Sequence, residues 1–142
     1  LSEYVYLLYR ETTLEYQGVE ETQYTRIARV CLNDTGQADS HSYLTFVKAR
    51  LVCSIPGTPS FFYNDVQDML FDAATESVYA VFTTEEIGPK ASALCRYRMV
   101  DINEVFDNGV TVRGSGTDGQ VSITSHRITA LLGHEFRETS TG

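Results

Sequence analysis

Short apolar runs, each closed by a polar or turn-forming segment, follow one another along most of the chain. Tyr4 to Tyr9 (YVYLLY) is β-branched and aromatic and predicts a strand buried on both faces, central in its sheet. Tyr24 to Val30 (YTRIARV) alternates imperfectly, and its length and polar flanks suit a strand better than a helix. The polar stretch Asn33 to Ser42 reads as a loop; Tyr43 to Ser54 returns to strand-forming residues before Ile55-Pro56-Gly57 turns the chain. Phe61 to Phe71, Ser77 to Thr84 and Ala91 to Met99 continue the rhythm of strand and turn. Asp101 to Phe106 (DINEVF) predicts one short helix, with Asp101 as N-cap and Glu104 three residues on, as in a capping box. The pattern is that of an all-β chain with a single helix.

The runs also repeat. Val5-Tyr6-Leu7-Leu8-Tyr9-Arg10-Glu11-Thr12 is similar to Val78-Tyr79-Ala80-Val81-Phe82-Thr83-Thr84-Glu85 at an offset of 73 residues. Each copy precedes a strand carrying one cysteine, Thr25 to Cys31 and Ser92 to Arg98 respectively. A four-stranded propeller blade with long loops fits that period, which exceeds the ~40–45 residues of a WD40 blade.

Composition narrows the partners. With 142 residues the chain suits one core and is short for two sizeable domains. Its net charge of −8 argues against gripping nucleic acid or an anionic membrane, because the necessary counter-charge is missing. No apolar run approaches the ~20 residues of a membrane span. The chain opens on Leu1-Ser2-Glu3 without an initiator Met or a signal segment, which predicts a soluble piece of something longer.

Candidate chemistry is sparse. Gly114-Ser115-Gly116-Thr117-Asp118-Gly119 has the GxGxxG spacing of a dinucleotide-binding turn, which would serve a small nucleotide-binding enzyme. Gln120 to Thr124 after it reads as a strand, however, where that site needs a helix N-terminus, and a Gly-rich loop is the simpler reading. His41, His126 and His134 lack zinc-ligand spacing, and Ser60, Ser77 and Ser115 lie in no nucleophile motif. Glu20-Glu21 and Glu85-Glu86 read as solvated pairs in loops. The expectation is a protein with no catalytic residue, metal site, cofactor or small-molecule substrate. Cys31, Cys53 and Cys95 are separated by 21 and 41 residues, so no CxxC pair exists; an odd count leaves at least one thiol free or paired elsewhere. Asn33-Asp34-Thr35 is a glycosylation sequon in a predicted loop, and with nine tyrosines and seven phenylalanines it makes a secreted β-domain reasonable.

Four blocks, in order over residues 1 to about 106, resemble the sema domain of semaphorins. They are Val5-Tyr6 through Arg10-Glu11-Thr12 with Glu15-Tyr16; Arg26-Ile27-Ala28-Arg29-Val30-Cys31 followed by Asn33-Asp34 and Gly36; Thr45 to Gly57 (TFVKARLVCSIPG) with Phe62-Tyr63-Asn64; and Val78 to Thr84 with Ser92-Ala93-Leu94-Cys95. The third, Lys48-Ala49-Arg50-Leu51-x-Cys53 ahead of a Pro-Gly turn, is the most specific. Tyr43 stands where the family usually has tryptophan, and Gly36-Gln37 replaces a Gly-Gly. Residues 107–142, Gly/Ser-rich at 114–119, show no resemblance and are expected to form a divergent, unassigned tail.

The resemblance implies a fragment of a seven-bladed β-propeller, about two blades of antiparallel four-stranded sheets with a short helix near 101–106. It implies that Cys53 pairs with Cys95, that Cys31 pairs with a cysteine outside this chain, and that Lys48-Ala49-Arg50 is structural, with Arg50 satisfying a buried partner between strands. The implied activity is that of an extracellular guidance cue, secreted or the ectodomain of a membrane-anchored protein, which binds a plexin-type receptor as a homodimer to direct axons and migrating cells. Loops Asn33 to Ser42 and Glu85 to Lys90 are the candidate contact elements, with no individual receptor-contact residue assigned. The alternative is a sema fragment with no independent function.

Overall fold

The computed structural model describes residues 3–12, 23–38, 43–85 and 88–108, together with the backbone of 111–116 and 119–129. Nine strands and one helix form there, in two sheets. In the larger sheet, β1 (Tyr4–Thr12) pairs antiparallel with β2 (Gln23–Cys31), in a register running from Tyr4 opposite Cys31 to Thr12 opposite Gln23. β2 pairs antiparallel with β3 (Val47–Ile55), and the short β4 (Phe61–Tyr63) pairs with the end of β3. The smaller sheet is an antiparallel meander of β5 (Asp65–Asp72), β6 (Ser77–Thr83) and β7 (Ser92–Arg98). α1 (Met99–Asn108) follows, then the hairpin β8 (Thr111–Gly116) and β9 (Gly119–Thr129).

The period of two along each strand builds the core between the sheets. Ala49, Leu51 and Cys53 of β3 face Val78, Ala80 and Phe82 of β6 and Ala93, Cys95 and Tyr97 of β7, with Ile102 and Phe106 of α1 closing one side. Ala49 and Ala80 are fully buried, small residues where the sheets approach. Tyr97 spans the layer: its hydroxyl donates to the Val52 carbonyl at 2.9 Å, and burial pushes its pKa well above the ordinary tyrosine value. A disulfide between Cys53 and Cys95, with Cα atoms 6.0 Å apart, joins the two sheets through this core.

The all-β reading with one helix holds, and four particulars change. β1 is an edge strand, not a central one: Val5 is 38% and Leu7 47% exposed, because sheet order is set by pairings the local sequence does not contain. The run 61–71 breaks into β4 and β5 at Asn64, whose carbonyl accepts a hydrogen bond from the Thr25 hydroxyl on β2. The helix begins at Met99, whose N–H bonds to the Glu76 carbonyl, so Asp101 lies in its first turn and receives the Arg98 guanidinium instead of acting as N-cap. The sheets hold six and three of the described strands where blades of four antiparallel strands were expected, and β9 pairs with β3 in parallel. Residues 111–116 and 119–129, placed beyond the resemblance by sequence, are thus part of the larger sheet.

The repeat gains a structural meaning. β1 pairs with β2 as β6 pairs with β7, each copy followed by its cysteine-bearing strand. On β6 the face of Val78, Ala80 and Phe82 is buried against the larger sheet, while the equivalent face of β1, carrying Val5 and Leu7, points away from that core. Conversely Tyr6 and Leu8 of β1 pack on the core, while Val81, the equivalent of Leu8, is 40% exposed. The two copies thus turn opposite strand faces to the shared core, and the far face of the smaller sheet, with Val81 and Met69, is exposed among the described residues.

Candidate functional site

The two loops that sequence marks as contact elements lie at opposite ends of the sheets. The first follows the C-terminal end of β2, and its residues Asn33–Ala38 are described; Asp39, Ser40, His41 and Ser42 lie outside the described residues. The turn closes through the Asp34 N–H on the Cys31 carbonyl, and Gly36 adopts a positive φ of 74° that favours glycine. Asp34 then ties the turn to the approach to β3: its carboxylate accepts from the Gly36 N–H at 2.8 Å and from the Thr45 N–H at 2.7 Å, and also from the Thr45 hydroxyl. These bonds, the Thr45 hydroxyl foremost, hold the Asp34 pKa below the ordinary carboxylate value. Asn33 and Thr35 of the sequon are both exposed.

In the second loop, Glu85 and Gly88–Lys90 are described, Glu86 is not. Glu85 receives the Asn64 side-chain amide at 3.3 Å, beside Thr25 at the N-terminal end of β2. This end holds a charged cluster that sequence did not bring together. Glu11 on β1 accepts from Arg26 Nε of β2 at 2.8 Å and from Lys48 Nζ of β3 at 2.6 and 2.8 Å. Arg26 and Lys48 are buried, a placement tolerated only because a carboxylate meets them. Nearby, Tyr9 is pushed up to about 12, first by burial and then by the Glu11 charge. Arg50 plays a different part from Lys48: half-buried, it lies 3.7 Å from the Tyr24 ring centroid and 5.3 Å from that of Phe62. The Lys48-Ala49-Arg50 motif therefore serves two neighbouring contacts, one ionic and one aromatic.

A second cluster fastens α1. Arg29 bonds to Asp107 at 2.7 Å and Asn103 at 3.1 Å, lies over the Tyr4 and Phe106 rings, and shares Asn103 with the Tyr6 hydroxyl. Neither cluster was legible as a set, because its members meet only once strand register is known; the signal present in sequence was charged residues inside strands.

The remaining candidates divide simply. Cys53 and Cys95 are bonded to each other, and Cys31, at the end of β2, is a free thiol among the described residues. Ser77 is fully buried and bonds the Thr75 carbonyl and Arg96, and Ser60 bonds the Gly57 carbonyl. In the GxGxxG segment Gly116 pairs directly opposite Gly119, and Gly119 onward is strand, where a pyrophosphate site needs a helix N-terminus. Thr117 and Asp118, the side chains of Ser115 and His126, and all of Glu15, Tyr16, Glu20, Glu21 and His134 lie outside the described residues. No group of three His, Cys, Asp or Glu among the described residues is placed to hold a metal, and no described helix is long and apolar enough to cross a membrane.

The Asp34 tie gives a pH prediction. A carboxylate whose pKa is depressed by folding stabilises the fold above its unfolded value of about 3.8, and that contribution is lost as pH falls through the lowered native value. Amide shifts of Gly36 and Thr45 should follow one acid transition with a midpoint below 3.8, and Asp34→Asn should shift both amides already at neutral pH. A midpoint at or above the ordinary carboxylate value would refute the tie.

Comparison with known proteins agrees with this architecture. The Sema domain family matches residues 64–130, past residue 106 where the resemblance by motif stopped. Semaphorin-2A of Schistocerca gregaria is 35% identical over 130 residues, 90% of this chain and 19% of that protein. Semaphorin-6D of Homo sapiens is 39% identical over 110 residues, 72% of this chain and 10% of that protein. The chain thus spans a fifth or less of the length of these relatives. Among solved structures, Drosophila Semaphorin 2a superposes with a TM-score of 0.80 at 24% identity, covering 97% of this chain and 28% of that one. A chain in the structure of Drosophila Plexin A in complex with Semaphorin 1b superposes at 0.70 with 32% identity, covering 88% and 26%.

Proposed function

This chain is part of a sema domain, and from that premise we propose that it supplies two neighbouring blades of a seven-bladed propeller in an extracellular semaphorin-type ligand for a plexin receptor. The observation that carries the reading is the repeated strand pairing, β1 with β2 and β6 with β7, in which the two copies turn opposite faces to the shared core, with Val81 and Met69 exposed on the far face of the smaller sheet where a further copy would pack. The similarity to a chain from a complex named for Plexin A and Semaphorin 1b supports the receptor class. In this reading the protein directs axons and migrating cells by recognition and carries out no catalysis. A homodimer would hold two receptors close, so the second contact gains from high effective concentration. Asn33 carries a glycan, and Cys31 pairs with a cysteine beyond this chain.

The test is binding of the full-length protein to an immobilised plexin ectodomain, with charge reversals at Asp34 and at Glu85. Because those positions lie at opposite ends of the sheets, one receptor contact covers one of them. The expected result is a several-fold slower association for one reversal and none for the other, since rim charges act mainly on encounter. Absence of binding by the unsubstituted protein would overturn the reading.

A second reading, a sema fragment without independent function, has its own observation: Met69, Leu70 and Phe71 of β5 are exposed together with Val5, Leu7 and Val81. Such apolar faces and edges drive association. Aggregation of the 142-residue chain alone would favour it, and a monomeric elution profile would count against it.

A further inference from the structure

The two most exposed large apolar side chains among the described residues are Leu44 at 72% and Leu32 at 70%, and Tyr43 is 55% exposed. All three sit around the Asn33 turn. Thr45 fixes their proximity, because its hydroxyl accepts from the Cys31 N–H at 3.0 Å while its own N–H donates to Asp34 at 2.7 Å. Leu44 therefore adjoins a residue bound to both ends of the segment that holds Leu32 and Asn33. An apolar patch of this kind on a soluble surface calls for a cover. The patch is also separate from the exposed strand faces, lying at the loop end of β2 and not on Val5, Leu7 or Val81. Next to Leu32 in the same turn the sequence places a glycan acceptor, and this residue is exposed.

We propose that the N-linked glycan on Asn33 lies over Leu32, Tyr43 and Leu44, its sugar C–H faces against the tyrosine ring and the two leucines. This rests on the extracellular reading given above and goes beyond it, since it assigns the glycan a cover function and the patch an occupant. The attachment point argues for this occupant: a sugar chain bonded to Asn33 needs no encounter step and pays little for reaching side chains one residue away or bridged through Thr45.

The experiment uses the full-length protein secreted from eukaryotic cells. Peptide mapping should find Asn33 glycosylated. Enzymatic release of the glycan, and independently Asn33→Gln, should each raise fluorescence of an apolar-surface dye several-fold, and the rise should vanish when Leu32 and Leu44 are both replaced by serine. An unmodified Asn33, no rise on release, or the same rise in the serine background would overturn the proposal. So would a dye signal in the fully glycosylated protein that the plexin ectodomain suppresses, because the patch would then belong to the receptor. Receptor binding is read separately: if it persists with Asn33 unmodified, this inference falls alone, and if it is absent while the dye response holds, the ligand reading falls alone.

Discussion

Joint replacement of Cys53 and Cys95 by alanine is expected to lower stability by about 4 kcal/mol, the chain-entropy contribution of a cross-link closing a loop at a sequence separation of 42. Both sulfurs are in the shared core, at 1% and 3% exposure, so the bond pins the two sheets where their apolar faces meet. Nothing else covalent connects β3 to β7 except the intervening chain. Alanine retains most of the local packing, which makes the cross-link the main thing removed. Equilibrium urea unfolding of the full-length protein, with and without the pair, measures the loss; a change below about 1 kcal/mol would mean that packing alone joins the sheets.

Glu11→Ala is the second large effect, with an expected cost of about 3 kcal/mol. Both described hydrogen bonds of the Lys48 amine go to Glu11, and the Lys48 and Arg26 side chains are only 6% and 2% exposed. Removing the carboxylate takes both described hydrogen bonds from the buried Lys48 amine, which costs more than the pair itself contributes. Glu11 is itself 23% exposed, which places the figure at the low end for a buried pair. Adding Lys48→Met should recover part of the loss, because it removes the stranded amine. Two costs that simply add would show that the residues do not act together.

Both effects depend on which strands lie side by side, and that is where sequence reading stopped. The strands themselves were legible, because an apolar run such as Ser77–Thr83 carries its period of two locally. That β1 is an edge was not, since it depends on the strand order of a whole sheet. The helix is legible, but it starts two residues ahead of its capping pattern, because its start is fixed by the Met99 N–H reaching back to Glu76 and by Arg98 claiming Asp101, not by a cap. The strand after the GxGxxG segment was legible as well, but its parallel alignment beside β3 joins residues more than 70 positions apart and leaves no local mark. For the site, the sequon and the two loops were visible as motifs. Their separation to opposite ends appears only through Asn64, which touches Thr25 with its carbonyl and Glu85 with its amide.

Two packed sheets are pinned to each other by one cystine, and Cys31 takes no part in it. Non-reducing peptide mapping of the full-length protein tests this directly. The predicted result is a linked peptide pair containing Cys53 and Cys95, with Cys31 in neither; Cys31 joined to either of them, or Cys53 and Cys95 recovered as free thiols, would contradict it.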